Sequence, residues 1–303
     1  MPPRGSTRPV LVILSGGLGN QMFQYAAARA IASQRGCEVL IEPLTGFRND
    51  PYERHYELDA FRLSSTCWAG THPPPRRLWI EIKDRCTRKL EGTAMAVWGR
   101  YYLPALDTLS RKCDLLLAGY RQSPRYFEGI ETSLRAEFQL RQNPAPAIQQ
   151  LSQHLAGPES VGIHIRLRHG FSNSGRLVVS RLSSSAQRQT LLDYYRRAVA
   201  LLKRELANPS WLIFSDTDPF DPAWLELPAG TPVLCGDPRR APAEDLWLLS
   251  QARHKIIGPS TFSWWAAWLT DLHGGLVCAP SVFLAGRTLK PSRDIYPPGW
   301  IVL

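Results

Sequence analysis

The chain has 303 residues, 44% of them apolar and 20% charged, and a formal net charge of +10. That length suits two α/β domains of roughly 150 residues each, and the composition excludes a disordered or fibrous chain. The basic balance calls for an anionic partner, whether a nucleotide, a nucleic acid or an acidic membrane surface, and charge alone does not choose among them.

Arg4 and Arg8 precede an apolar run, Val10 to Leu14, that is too short for a signal segment or a membrane span, so a cytoplasmic location is expected. PVLVILS predicts a buried parallel strand and GGLGN a tight loop after it. QMFQYAAARAIASQRG then places Met22, Tyr25, Ala26, Arg29 and Ala30 at helical spacing, and Gly36 stops the helix. CEVLIEP supplies a second strand, completing a βαβ unit of the doubly wound type.

From Thr45 to Gln142 periodicity is weak. Pro73, Pro74 and Pro75 mark a loop, and the basic segment after it (Arg76, Arg77, Lys83, Arg85, Arg88 and Lys89, with Leu78, Ile80 and Ile82 between them) reads as an amphipathic surface helix. It suits a solvated face or a contact with anionic lipid better than a base-reading motif. The composition turns to Gln, Pro and Ala between Gln142 and Pro158, which places the domain boundary there, with domains at 1–150 and 151–303.

Beyond that boundary strands and helices alternate: SVGIHIRL a strand, Gln187 to Ala207 a helix, WLIFSD and TPVLC strands, AEDLWLLSQAR a helix, HKIIGPS a strand and turn, TFSWWAAWLT a helix, and GLVCAP a final buried strand. Such alternation predicts a second parallel sheet with helices on both faces. The six cysteines are scattered without metal-ligand spacing and read as reduced, buried thiols.

Four stretches hold residues of chemical interest. Gly16, Gly17 and Gly19 open a helix, where small residues let a phosphate or sugar approach free N–H groups; Met22 takes the third glycine place of a dinucleotide loop, and a plain tight turn stays open as a reading. Asn20 follows at the carboxyl end of the strand. His164, Arg166 and Arg168 alternate along the next strand, offering a guanidinium fork to a diphosphate; a core histidine with a surface arginine is the alternative. Asp216 and Asp218 end the following strand, fit to bind a metal, act as a base, accept from guanine, or cap a helix. Ser260, Thr261 and Ser263 open a helix whose Trp264, Trp265 and Trp268 read mostly as core.

GGLGNQMFQYAAARAIA, YELDAF, IHIR, FSDTDPF, DLWLLSQARHKIIGPSTFSWWAAWL and DIYPPGW together resemble the α-1,2-fucosyltransferases of glycosyltransferase family eleven. The resemblance implies a GT-B architecture of two Rossmann-like domains facing across a cleft, with the acceptor on 1–150 and GDP-fucose on 151–303. It also implies inversion at the anomeric carbon, no metal, and no cofactor beyond the donor sugar nucleotide. The acceptor would be a galactose-terminated oligosaccharide, with a lipid-linked one at the inner membrane face fitting the basic surface, and nucleic acid would be no partner. Arg166 would neutralise the β-phosphate of the leaving GDP with His164 beside it, and Asp216 would contact the nucleotide. Ser260, Thr261 and Ser263 would line the pyrophosphate end, and Asn20 would sit near the sugar and acceptor. Two places depart from the family. Its His-Ile-Arg-Arg-Gly-Asp reads His164, Ile165, Arg166, Leu167, Arg168, His169 here, so Arg168 would restore the second charge one position later; Pro259 stands where asparagine is usual.

Three rivals remain at this point. A transferase of a related GDP-deoxysugar such as colitose differs by one hydroxyl. A nicotinamide oxidoreductase would use Glu42, at the end of the second strand, on a ribose. A non-catalytic basic binding module would show steep salt dependence and no turnover.

Overall fold

The structure is a computed structural model and describes residues 9–67, 87–89, 94–98, 114–167, 185–216, 219–237, 239–270, 274–285, 288–291 and 294–303. Branched apolar residues at the start form β1 (Val10–Ile13), and the chain turns directly into α1 (Leu18–Arg35). The helix therefore begins inside the glycine stretch read as a loop, and Gly19 and Asn20 lie in its first turn. α1 is buried around most of its circumference, Met22, Phe23, Tyr25 and Ala26 included. Two glutamines share that burial without an unmet polar group. Gln24 accepts from Ser15 N–H at 2.9 Å and donates to the Ser15 carbonyl at 3.2 Å. Gln21 donates to the carbonyls of Gly16 and His55 at 3.0 and 2.9 Å and accepts from Glu57 N–H at 3.0 Å. Burying an amide is tolerated when its hydrogen bonds are replaced in this way.

β2 (Val39–Glu42), β3 (Thr66–Cys67), β4 (Thr87–Lys89), β5 (Ala94–Trp98) and β6 (Asp114–Ala118) complete a six-stranded sheet of order β3-β2-β1-β6-β5-β4. All its pairs are parallel except β4 with β5. Within the segment read as a basic helix, Thr87–Lys89 is thus an edge strand; the rest of that segment lies outside the described residues. α2 (Glu131–Glu137) closes this part of the chain, its Glu137 held by Tyr25, by Arg29 Nε at 2.9 Å and by Ser64 Oγ at 2.8 Å.

The chain divides into two units, Met1–Arg141 and Gln142–Leu303, so the boundary falls earlier than the expected position after residue 150. The reason is α3 (Pro146–His154), which packs on α5 (Pro242–Gln251), while Ala145 N–H is donated to Glu244 Oε1 at 2.7 Å.

In the second unit β7 (Ser160–Ile165), α4 (Ser185–Glu205), β8 (Ser210–Ser215), β9 (Val233–Cys235), α5, β10 (His254–Ile256), α6 (Thr261–Leu269) and β11 (Val277–Ala279) follow the predicted alternation. β11 is not the last strand: a small antiparallel pair, β12 (Val282–Ala285) with β13 (Thr288–Pro291), and then β14 (Ile301–Val302) come after it. The sheet runs β14-β11-β10-β7-β8-β9, parallel throughout. Every residue of β7 is buried, as expected of a central strand covered on both faces. Val161, Ile163, Ile165 and Ile213 meet Leu191, Tyr195, Ala198 and Leu202 of α4 in one core. Trp264 and Trp265 are fully buried, and Trp264 Nε1 donates to the Ile295 carbonyl, which ties the DIYPPGW segment to α6. Of the four described cysteines only Cys278 is buried; Cys67 is exposed on an edge strand, contrary to the expectation of buried thiols. No helix among the described residues is long and apolar enough to cross a membrane.

Candidate functional site

In the second unit the chain starts at β7 in mid-sheet and winds outward through β8 and β9. It then returns to the other side of β7 with β10. The winding reverses between β7 and β10, and in open α/β sheets ligands bind at the carboxyl ends of the strands at such a switch point. Three segments meet there: His164 to Leu167 at the end of β7, Ser215 and Asp216 at the end of β8, and Gly258 to Ser260 after β10.

Asp216 organises this edge. Its N–H donates to the Ile165 carbonyl at 3.4 Å, its Oδ1 accepts Leu167 N–H at 3.0 Å, and its Oδ2 lies 3.6 Å from Arg166 Nε. The pairing takes the inner nitrogen of the Arg166 guanidinium. The two terminal nitrogens make no hydrogen bond among the described residues, and the side chain keeps about a quarter of its surface exposed. Tyr195 of α4 fixes the strand end from beneath, its hydroxyl donating to the His164 carbonyl and accepting Arg166 N–H, both at 3.0 Å. Burial holds that phenol well above its ordinary pKa, so it remains a donor. Gly258 admits this arrangement by close approach, since a Cβ there would lie 2.7 Å from Tyr195 Oη and 3.1 Å from Arg166 Cβ.

α6 points its amino terminus at the same edge. Ser260 caps it, accepting Phe262 N–H at 3.3 Å, and the first turn holds no acidic residue, so its free N–H groups and dipole favour an anion. Thr261 is half-buried in that turn. Ser263 differs from the expectation: it is fully buried and its hydroxyl turns back to the Gly258 and Ser260 carbonyls at 3.5 and 3.3 Å. Arg168 lies outside the described residues.

His164 is 7% exposed, its ring 5.4 Å from that of Phe262, and its Nδ1 has no hydrogen-bond partner among the described residues. Burial first, and the Arg166 charge second, push its pKa down to about 3. The unfolded chain binds a proton below the ordinary value of 6.5 that the folded chain refuses until about pH 3. The stability His164 permits is therefore complete above pH 6.5 and declines as pH falls below it, at about 1.4 kcal/mol per pH unit. Between pH 7 and pH 5 the folding free energy of His164→Phe should fall by about 2 kcal/mol less than that of the wild type, read from urea midpoints at the two pH values; parallel midpoints would show that His164 titrates normally.

The first unit has its own switch point, between β1 and β6. Ser15, Gly16 and Gly17 leave β1, and Tyr120 to Gln122 leave β6. Gly16 adopts a φ of +76°, open to glycine and strained for other residues, and a Cβ on it would come within 2.8 Å of Asn20 Nδ2. Gln122 Nε2 donates to Asn20 Oδ1 at 2.9 Å. Over Gly17 sits the Arg54 guanidinium, 3.7 Å from where a Cβ would be and stacked 4.4 Å above the Tyr52 ring. Gly19 is buried in the helix behind. Glu57 accepts Leu18 N–H at the start of α1; burial raises its pKa against the pull of His55 and Arg54.

Arg166, His164, Asp216, Ser260 and Thr261 thus come together on one unit, and Gly17, Gly19 and Asn20 on the other. Sequence reading passed over Tyr195, Gln122, Arg54 and Glu57. Only Glu57 had a signal, as one of the two acidic residues of YELDAF. Glu42 is spent on its own loop, its carboxylate accepting Leu44 and Thr45 N–H at 2.9 to 3.2 Å while 2% exposed, so the ribose contact required by an oxidoreductase is not offered. Among the described residues no three His, Cys, Asp or Glu side chains gather as a metal site.

An α-1,2-colitosyltransferase of Escherichia coli is 27% identical over 96% of this chain and 98% of its own. The galactoside α-(1,2)-fucosyltransferase 1 of Sus scrofa is 25% identical over 91% of this chain and 68% of its own. Among solved structures, NodZ α-1,6-fucosyltransferase soaked with GDP-fucose aligns with a TM-score of 0.51 and 15% identity over 94% of this chain and 100% of that one, a likeness of GT-B fold. The family model "Glycosyl transferase family 11" matches residues 105–303, which takes in β6 and the whole second unit with the Arg166 edge, and the chain belongs to that family of glycosyltransferases.

Proposed function

We propose that the chain transfers L-fucose from GDP-fucose to a galactose hydroxyl, forming an α-1,2 link with inversion and without a metal. The observation behind this reading is Arg166, a cation paired with Asp216 through one nitrogen, its two terminal nitrogens without a hydrogen bond among the described residues, at the switch point of the second unit. A departing diphosphate needs a preorganised charge of this kind, and the amino terminus of α6 adds to it. In the single displacement the acceptor oxygen bonds to the anomeric carbon from the face opposite GDP as the bond to the β-phosphate oxygen breaks. For the acceptor's proton we assign Glu57, a half-buried carboxylate of the first unit whose raised pKa makes it a stronger base than an exposed glutamate; His169, which lies outside the described residues, is the other candidate.

Glu57→Gln should lower kcat by about 100-fold or more and abolish the acid limb of the pH profile, which in the wild type lies above the ordinary carboxylate range. An unchanged limb in the variant would remove Glu57 from this role. The colitosyltransferase likeness supports GDP-colitose as the alternative donor. The two are separated by kcat/KM for GDP-fucose against GDP-colitose on one β-galactoside, with NMR assignment of the product linkage. Preference for GDP-fucose and an α-1,2 product are expected; a colitose preference or another linkage would replace this reading.

A further inference from the structure

Gln122 is 6% exposed, follows β6, and donates through Nε2 to Asn20 Oδ1 at 2.9 Å. A carboxamide is two-ended, and which end faces outward is decided by what the other end meets. With its oxygen engaged, the Asn20 Nδ2 makes no hydrogen bond among the described residues and lies over Gly16, whose missing side chain leaves the room it occupies. Tyr120 flanks the same space, its Cε1 3.1 Å from a Cβ on Gly16. Asn20 itself is only half-buried, at the carboxyl edge of β1. Turning the amide over would set Asn20 Nδ2 against Gln122 Nε2, donor facing donor.

Building on the reading above, in which this edge receives a sugar, we infer that Gln122 is a positioning residue that locks the Asn20 carboxamide with its NH2 group outward, so that the edge selects a sugar oxygen able to accept a hydrogen bond. Asn20 is then the contacting group, and Gln122 acts through it. The two residues are 102 positions apart and meet only because β1 and β6 are adjacent.

Three variants of the full chain separate orientation from mere support. In Gln122→Glu the carboxylate only accepts, so Asn20 must turn its NH2 inward and present its oxygen to the sugar; kcat should fall about 100-fold, the scale of a lost preorganised donor. Asn20→Asp keeps an oxygen for Gln122 but removes the outward donor, and should match it. Gln122→Met leaves Asn20 free to turn either way and should lose only about 5-fold. A purely structural role gives the opposite order, because methionine leaves the Asn20 oxygen without its donor while glutamate keeps a hydrogen bond; Gln122→Met falling as far as Gln122→Glu, or losses that follow thermal midpoints, would overturn the inference. A readout independent of the donor sugar is side-chain amide exchange in 15N-asparagine-labelled protein. The Asn20 NH2 should exchange rapidly in the wild type and be protected in Gln122→Glu, and equal exchange in both would refute the lock. Failure of wild-type transfer from GDP-fucose would bear on the functional reading, while exchange decides the lock.

Discussion

Arg166→Ala should lower kcat by about 1,000-fold while changing the thermal midpoint little. The activity loss follows from removing the charge set for the departing diphosphate, where one preorganised donor is worth about 100- to 1,000-fold. Stability is spared because the ion pair that Arg166 makes among the described residues is loose, 3.6 Å to Asp216 on a side chain a quarter exposed, and such pairs contribute about 1 kcal/mol or less. Arg166→Lys keeps a charge but loses the planar fork, and a fall of about 100-fold is expected. GDP affinity should weaken in the same order. Steady-state kinetics beside circular-dichroism melts check this, and turnover of the alanine variant within a few-fold of wild type would show that the leaving group is stabilised elsewhere.

Glu137→Ala has the converse effect, a loss of about 3–5 kcal/mol of stability, because it leaves buried partners uncompensated. Glu137 receives Tyr25 Oη, Arg29 Nε and Ser64 Oγ, so one carboxylate joins α1, α2 and the loop before β3. The buried Tyr25 phenol, its pKa pushed up by desolvation and by Glu137, stays protonated and donates. Against a typical total of about 5–15 kcal/mol this loss leaves the first unit marginal. Urea unfolding of the variant should show an early transition absent from Arg166→Ala; coincident curves would mean the network contributes little.

The second unit was legible because its signals are local. Branched apolar runs, helical spacing in α4 and the hydroxyl cap before α6 each lie within a few residues, and together they place His164, Arg166, Asp216 and Ser260 at strand ends. What the sequence concealed depends on distant partners. Nothing near Gln122 announces Asn20, and nothing in Tyr195 announces the strand end it pins. Ser263 looked like a ligand-binding hydroxyl because the direction in which an early helical residue points depends on the packing of α6. The composition shift marks the boundary region from Gln142 onward, and Pro146 at the start of α3, a helix-opening signal, accounts for the unit beginning at its near end. β12 to β14 were missed as short strands whose pairing, rather than their composition, defines them.

In the proposed reaction this family 11 glycosyltransferase moves fucose from GDP-fucose to a galactoside by arginine rather than metal assistance. Release of GDP from GDP-fucose in EDTA, with and without galactose-terminated oligosaccharides and with mass spectrometry of the products, tests it most directly. Acceptor-dependent release with a deoxyhexose added to the acceptor is the predicted result. Folded protein that releases no GDP with any such acceptor, or does so only when a divalent metal is restored, would contradict it.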